Sequence, residues 1–284
     1  MTFKTVGILG SGIMGSGIAE VAATAGATVI VRSRSQATAD GMIVGLEKSL
    51  AKAVERGKKT QEEADAVRAR VSATTAISDL AHCDLVIESV VEDLEIKKEL
   101  FAELDRVINH EAVLATNTST LPVVEMAMHT SRPERVCGVH FFNPATAMSL
   151  VEIVRPITAS NETIARVTEF AAACGKEPVE VKDQAGFIVN ALLFPYLNNA
   201  IRLLDQGVAT MEGIDTAMKG GCGFPMGPFA LLDLVGLDTS LSILDALYAE
   251  FADPHFAAVP TLKRMVAAGK LGRKSGSGFY DYRR

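Results

Sequence analysis

Apolar positions come in short runs along the first two thirds of the chain and at helical spacing along the rest. Thr5–Leu9 is a β-branched and aliphatic run that predicts a strand. Residues 13–25 carry small and apolar side chains in a helical pattern that Gly26 ends, and residues 28–31 form a second apolar strand. Residues 36–71 are helical in period, with a break near Gly57. That is longer than one crossover helix, so a helical hairpin inserted in a sheet domain is predicted. A weak strand at 71–75, a clear one at 84–88, an acidic helix at 93–109 and strands at 113–116, 135–142, 150–154 and 178–181 follow. Strands alternating with helices predict an α/β fold with a mostly parallel, doubly wound sheet.

The pattern changes at Ala185. Residues 187–205, with Pro195 as an expected kink, then 210–219, 228–234, 238–251 and 261–268 have helical spacing, and no strand signal returns until 278–280. Two domains are therefore expected, 1–184 built on the sheet and 185–284 all-helical.

The first strand runs into Gly10-Ser11-Gly12-Ile13-Met14-Gly15. Gly10 permits a tight turn, Gly12 lets a pyrophosphate approach the backbone, and Gly15 lets the helix pack on the strand. With a strand before the turn and a helix and strand after it, the spacing predicts a Rossmann-type dinucleotide site. A NAD site usually carries Asp or Glu at the end of the second strand. Here that end is Arg32-Ser33-Arg34-Ser35, with Ser33 in the acidic slot. No carboxylate stands there to repel a 2′-phosphate, Arg34 can clamp one, and Ser33 and Ser35 can donate to it. NADP(H) is the expected cofactor and NAD the alternative. Arg32 flanks Ser33 on the strand side, and whether it faces the phosphate is open.

Composition bounds the rest. The chain has 284 residues, 48% hydrophobic and 22% charged, with a formal net charge of −6, as in an ordinary globular protein. It has no basic arm, so nucleic acid is not expected as a partner. No run approaches the roughly 18 apolar residues of a membrane span. Cys83, Cys137, Cys174 and Cys222 form no C-x-x-C pair and no metal spacing. They are expected to be small buried hydrophobes in a reducing compartment, with no metal site. The first strand begins so near Met1 that no signal or transit peptide is expected, which points to the cytoplasm.

Cofactor and substrate meet at the carboxyl ends of strands in such sheets. Ser119 lies just past the strand at 113–116, His140 closes the strand at 135–142, and Glu152 lies in the next apolar run. Asn190 lies near the start of the first helix of the second domain. Hydride transfer to or from an oxygen-bearing carbon needs a proton delivered or removed, and a His suits either direction near neutral pH. A carboxylate within a strand is unfavourable unless paired. Pairing Glu152 with His140 meets that requirement and fixes the ring. Ser119 and Asn190 can hydrogen-bond a substrate oxygen. Each also has a plain structural role open to it: a strand-end His, an edge-strand Glu, helix caps at Asn117 and Ser119, a helix-surface Asn. Their common placement favours the chemical reading.

These residues fall in the stretches G-S-G-I-M-G-S-G-I-A-E, V-I-E-S-V-V-E-D, T-N-T-S-T, H-F-F-N-P, G-F-I-V-N-A-L-L-F-P-Y-L-N-N-A-I-R, P-M-G-P-F-A-L-L-D-L-V-G-L-D-T and G-R-K-S-G-S-G-F-Y. From end to end the chain resembles the short L-3-hydroxyacyl-CoA dehydrogenases, in particular their bacterial 3-hydroxybutyryl-CoA branch. The resemblance implies interconversion of a short (3S)-3-hydroxyacyl-CoA and its 3-oxoacyl-CoA, with His140 as acid/base, Glu152 as its partner, and Ser119 and Asn190 on the substrate. It implies cofactor contacts from Glu92, Lys97, Asn117, Asn143 and Lys274, and a dimer through the helical domain. It also lays coenzyme A on the helical hairpin, where Ser49, Lys52 and Arg56 recur at i, i+3 and i+7 on a face suited to phosphates.

Three positions depart from that family. Its acidic ribose residue is Ser33 here, inside a Ser-Arg-Ser run more like that of NADP-using β-hydroxyacid dehydrogenases. Its V-P-V after H-F-F-N-P is Ala145-Thr146-Ala147, which keeps a carrier-protein-bound acyl substrate as an alternative. Thr120 replaces a second serine and keeps a hydroxyl. A β-hydroxyacid dehydrogenase is disfavoured because Gly186-Phe187-Ile188-Val189-Asn190 holds no lysine. A catalytically silent relative is disfavoured because all four members of the catalytic set are present.

Overall fold

The computed structural model describes residues 2–283. The chain forms two compact units, residues 1–183 and 184–284. The first contains β1 (Thr5–Leu9), α1 (Ile13–Thr24), β2 (Thr28–Arg32), α2 (Gln36–Glu55), α3 (Gln61–Ala69), β3 (Val71–Thr74), β4 (Leu85–Glu88) and α4 (Leu94–Val107). After them come β5 (Val113–Thr116), α5 (Val123–Ala127), β6 (Val136–Phe141), β7 (Leu150–Arg155), α6 (Asn161–Ala173) and β8 (Glu177–Lys182). The strands make one sheet in the order β3-β2-β1-β4-β5-β6-β7-β8. Every neighbouring pair is parallel except β6 with β7. Every residue of β4, β5 and β6 is buried. Burial on both faces explains their continuous apolar runs. The strand order reverses between β1 and β4, which opens a crevice at their carboxyl ends.

The helical hairpin is α2 and α3, joined through Gly57 with φ of +64°. Capping boxes start both helices, Ser35 with Thr38 and Thr60 with Glu63. Ala39, Met42, Leu46 and Leu50 form the buried stripe of α2. Most bounds differ from the periodicity by one to three residues. β6 starts at Val136 because Pro133–Arg135 coils into a short 3₁₀ turn, and β8 is longer than predicted. As an edge strand β8 tolerates Pro178.

The second unit contains α7 (Val189–Asp205), α8 (Met211–Cys222), α9 (Pro228–Val235), α10 (Leu237–Phe251) and α11 (Pro260–Ala267) around a core that includes Phe194, Phe229 and Leu247. α7 begins two residues later than its period predicts, because Gly186 and Phe187 hold left-handed φ of +72° and +47°. It then runs on through Pro195. Two buried carboxylates organise the fold. Asp215 accepts from Phe229 N (2.8 Å) and Ala230 N (3.1 Å) at the start of α9, and from the Tyr280 hydroxyl (2.9 Å). Asp233 accepts from Phe279 N (2.9 Å) and Tyr280 N (2.8 Å) in the C-terminal tail. Among the described residues no helix is long and apolar enough to cross a membrane. Cys83 and Cys137 are buried and Cys174 partly so; Cys222 corrects the expectation, being exposed at the end of α8.

Candidate active site

The turn after β1 has the geometry its spacing predicts. Gly10 has φ of +108°, and a Cβ there would lie 2.2 Å from Ser89 O in the loop after β4. A Cβ on Gly15 would lie 1.9 Å from Gly10 O, so only glycine lets α1 start here. Around Gly12, the N-cap of α1, a Cβ would meet nothing within 4 Å. No side chain caps α1 and no acid lies in its first turn. The open backbone and free N–H groups fit a pyrophosphate. Ser11 is half-buried and its carbonyl accepts from Ser16 Oγ; Ile13 is exposed and Met14 packs on the core.

At the end of β2, Arg32 Nε donates to Thr75 O at 3.3 Å, which turns this guanidinium toward the β3 edge. Ser33 is 1% exposed, and its Oγ is buried without a hydrogen-bond partner. Arg34 is exposed. Ser35 Oγ accepts from Thr38 N at 3.3 Å and caps α2.

After β4 the expected Lys97 contact is placed differently. Lys97 is 1% exposed, and its Nζ donates to both oxygens of Glu88 at 2.8 Å and lies 3.1 Å from Glu92 Oε2. Glu88, at the buried end of β4, also accepts from Val90 N (2.6 Å) and Thr116 Oγ1 (2.7 Å). Glu92 Oε1 accepts from Thr118 Oγ1 and from Ser119 N (2.8 Å). Burial opposes the charged form of Glu92, but the Lys97 ammonium and the bonds from Thr118 and Ser119 outweigh it and hold the carboxyl below its usual value. Lys97 thus acts on the site through Glu92, which fixes the backbone of Ser119. Glu88, Thr116 and Thr118 were not among the candidates. The signal for Lys97 is its position at i, i+4 and i+7 with Phe101 and Leu104 on the buried face of α4.

β6 and β7 carry the titratable pair. His140 and Glu152 are direct partners in the antiparallel register. His140 Nδ1 lies 2.8 Å from Glu152 Oε2, with the residues 5% and 0% exposed. The carboxylate accepts a hydrogen bond from Nδ1–H, which fixes the tautomer and the orientation of the ring. The Phe142 ring lies over the imidazole at 4.5 Å between centroids. Asn117 is a strand tie: its Oδ1 accepts from Phe141 N (2.8 Å), and its N donates to Glu88 O (2.8 Å). β5, β6 and β7 therefore bring Asn117, Ser119, His140 and Glu152 to one end of the sheet. Asn143 is exposed in the loop after β6.

On α2, Ser49 is half-buried and Lys52 exposed, whereas Arg56 is the C-cap and lies just past the helix end. In the second unit, Asn190 is buried on the first turn of α7. The Lys274 ammonium there pairs with Asp238 at 2.6 Å. Among the described residues no group of three His, Cys, Asp or Glu side chains could hold a metal ion.

The family model for the 3-hydroxyacyl-CoA dehydrogenase NAD binding domain matches residues 5–184, and that for the 3-hydroxyacyl-CoA dehydrogenase C-terminal domain matches residues 186–282. A 3-hydroxybutyryl-CoA dehydrogenase of Mycobacterium tuberculosis is 49% identical over 281 residues, 98% of each chain. One from Clostridioides difficile is 45% identical over 97% of this chain and 98% of its own. The crystal structure of M. tuberculosis FadB2 superposes with a TM-score of 0.97 at 48% identity over 99% of both chains. That of (S)-3-hydroxybutyryl-CoA dehydrogenase PaaH1 from Ralstonia eutropha superposes with a TM-score of 0.96 at 39% identity, over 99% of this chain and 100% of its own. With both family models matched in order and relatives this similar over their whole length, the chain belongs to the 3-hydroxyacyl-CoA dehydrogenase family.

Proposed function

We propose that the protein interconverts acetoacetyl-CoA and (3S)-3-hydroxybutyryl-CoA, with NADP(H) preferred over NAD(H). The buried His140–Glu152 pair at the strand ends carries this reading. The nicotinamide supplies or accepts the hydride. In reduction His140 Nε2 delivers a proton to the 3-oxygen, and in oxidation it takes that proton back. Glu152 holds the ring and balances the imidazolium charge. Ser119 and Asn190 hydrogen-bond the same oxygen as charge develops on it. The glycine turn holds the pyrophosphate, Ser33 and Arg34 take the 2′-phosphate, and Asn117, Asn143, Glu92 and Lys274 border the cofactor. The first unit is the dinucleotide-binding domain, and the second is the helical substrate and dimerisation domain, through which the protein forms a homodimer. The preference for NADP(H) rests on the orphaned Ser33 hydroxyl and the exposed Arg34. NADPH favours reduction as the working direction.

A second reading keeps the chemistry on a carrier-bound acyl group, and Ala145-Thr146-Ala147 in the loop after β6 favours it. The test is steady-state kinetics on acetoacetyl-CoA with NADPH and NADH in parallel. A higher kcat/KM with NADPH is expected, and equal or better use of NADH refutes the cofactor preference. Faster turnover of acetoacetyl-carrier protein refutes the coenzyme A reading. His140→Ala is expected to abolish turnover with cofactor binding intact.

A further inference from the structure

Two carboxylates at the strand ends share one cation. Glu88, at the end of β4, and Glu92, in the loop that follows, both pair with the Lys97 ammonium, at 2.8 Å and 3.1 Å. Among the described residues Lys97 is the one cation paired with either of them. One negative charge is left over. The N-terminus of α4 does not balance it, because Asp93 caps that end with a carboxylate of its own, Oδ1 accepting from Ile96 N at 3.0 Å. The other donors to the two carboxylates are neutral: Val90 N and Thr116 Oγ1 to Glu88, Thr118 Oγ1 and Ser119 N to Glu92. They hold the charge without cancelling it.

The surplus falls on Glu92. Glu88 is fully buried and its oxygens take four hydrogen bonds, whereas the Glu92 side chain is 40% exposed. Two contacts say what it faces. Ser89, in the same loop, lies so close to Gly10 that a Cβ there would come within 2.2 Å of Ser89 O, which sets the loop beside the glycine turn. Glu92 Oε1 accepts from Ser119 N at 2.8 Å, which ties it to the residue set above on the substrate oxygen. The loop thus borders the crevice from the pyrophosphate end to the reacting end. Hydride transfer needs the reacting atoms about 3–3.5 Å apart. The redox ring of the cofactor therefore has to come near Ser119, and so near Glu92. A site that fills loses water, and charge interactions in it grow stronger.

We propose that Glu92 makes the site discriminate between the redox states of its cofactor, as counter-charge to the oxidised ring. This inference rests on the function proposed above. Reduction of the 3-oxoacyl group moves a hydride from the cofactor to carbon 3 and a proton from His140 to the 3-oxygen, and the cofactor ring is left with one positive charge. The surplus carboxylate favours that state, so it draws the equilibrium on the enzyme toward the hydroxyacyl product. Glu88 and Lys97 are positioning residues: Glu88 holds the ammonium, and the ammonium orients Glu92 while cancelling only one of the two charges. NAD and NADP carry the same ring, so the discrimination does not depend on the 2′-phosphate.

The test reads binding without turnover. For wild type, Glu92→Gln, Glu92→Met and Glu92→Asp, the Kd of NADPH comes from fluorescence titration and that of NADP+ from displacement of NADPH, with NADH and NAD+ measured in the same way. Glu92→Gln keeps acceptors for Thr118 and Ser119 and loses the charge. It is expected to raise Kd for the oxidised form about tenfold and for the reduced form about twofold or less. The ratio of the two Kd values then shifts about fivefold, alike in both cofactor pairs. Glu92→Met, which loses charge and bonds together, shifts the ratio as far. Glu92→Asp keeps the charge and shortens the arm, so its ratio stays within about twofold of wild type even as kcat falls. Equal weakening of both redox states, an unchanged ratio in the uncharged variants, or an aspartate variant that behaves like the glutamine one overturns the inference. Wild type that binds either pair and leaves acetoacetyl-CoA unreduced refutes the proposed function instead, so the two failures are distinguishable.

Discussion

Glu152→Gln isolates what the carboxylate does for His140. The substitution keeps the volume and removes the charge. While the proton is on the ring, imidazolium and carboxylate face each other across a 2.8 Å bond in a nearly water-free site. Two unit charges about 4 Å apart attract by about 4 kcal/mol at an effective dielectric constant of about 20. A glutamine can keep a neutral hydrogen bond to Nδ1–H worth about 1 kcal/mol. The net loss of about 3 kcal/mol falls on the step in which the ring carries the proton, which lowers kcat about 150-fold. If the amide flips and donates to Nδ1, the ring takes the other tautomer and the loss is larger. The assay is kcat for acetoacetyl-CoA reduction at saturating cofactor, with cofactor Kd from fluorescence titration as the control. A variant that keeps more than a tenth of wild-type kcat, or that loses cofactor affinity in step with kcat, refutes the reasoning.

Ser33→Asp with Arg34→Ala places a carboxylate where the 2′-phosphate is proposed and removes its cation. The ratio of kcat/KM for NADPH over NADH is expected to fall at least about 100-fold, from repulsion of about 4 kcal/mol at close range, and an unchanged ratio counts against Ser33 and Arg34 as the phosphate site. Glu92→Gln tests the acid limb of stability. Because the folded carboxyl lies below its usual 4.5, its contribution is fully present above that pH and is lost as pH falls through the lower folded value. Urea titrations should show a wild-type advantage that is constant above about pH 5.5 and shrinks below about pH 4.5; an advantage independent of pH excludes this linkage. Asp233→Asn loses one of two backbone bonds in a fully buried site and turns an amide donor toward an N–H. It should destabilise the second unit by about 3 kcal/mol, and calorimetry that finds no downshifted transition contradicts the assignment.

Local patterns make much of this molecule legible. The glycine spacing, the short apolar strands and the change to helical period at Ala185 depend on nearest neighbours, and the elements follow them within a few residues. His140 and Glu152 are legible as a pair because a strand carboxylate must be paired. What escapes is tertiary. Lys97 has the look of a surface lysine until its place among the buried residues of α4 is noticed; its partner Glu88 comes from a separate strand. Ser35 also caps the helix that starts at Gln36, a role that the run Arg32-Ser33-Arg34-Ser35 does not by itself announce. Asp215 and Asp233 bind backbone 14 to 47 residues away, and no local pattern marks them. α5 is only 5 residues long, too short to show a period.

The reversal of β7 is what makes the titratable pair possible. In a parallel neighbour, a side chain beside His140 would come from a strand running the same way, with its polar residues past the strand terminus, as Asn117 lies past the end of β5. Running antiparallel, β7 brings its early residues to the same end of the sheet, and Glu152 stands directly opposite His140. A slip of one residue would turn Glu152 to the other face. Val151, Ile153 and Val154, all fully buried, oppose that slip. So does Gly138, where a Cβ would lie 2.6 Å from Val154 Cβ in the same ladder. The glycine lets Val154 lie close against β6, and the valine fixes the register two residues from Glu152. The geometry of the His140–Glu152 pair is therefore held by core packing, which is why two titratable side chains can be both buried and placed.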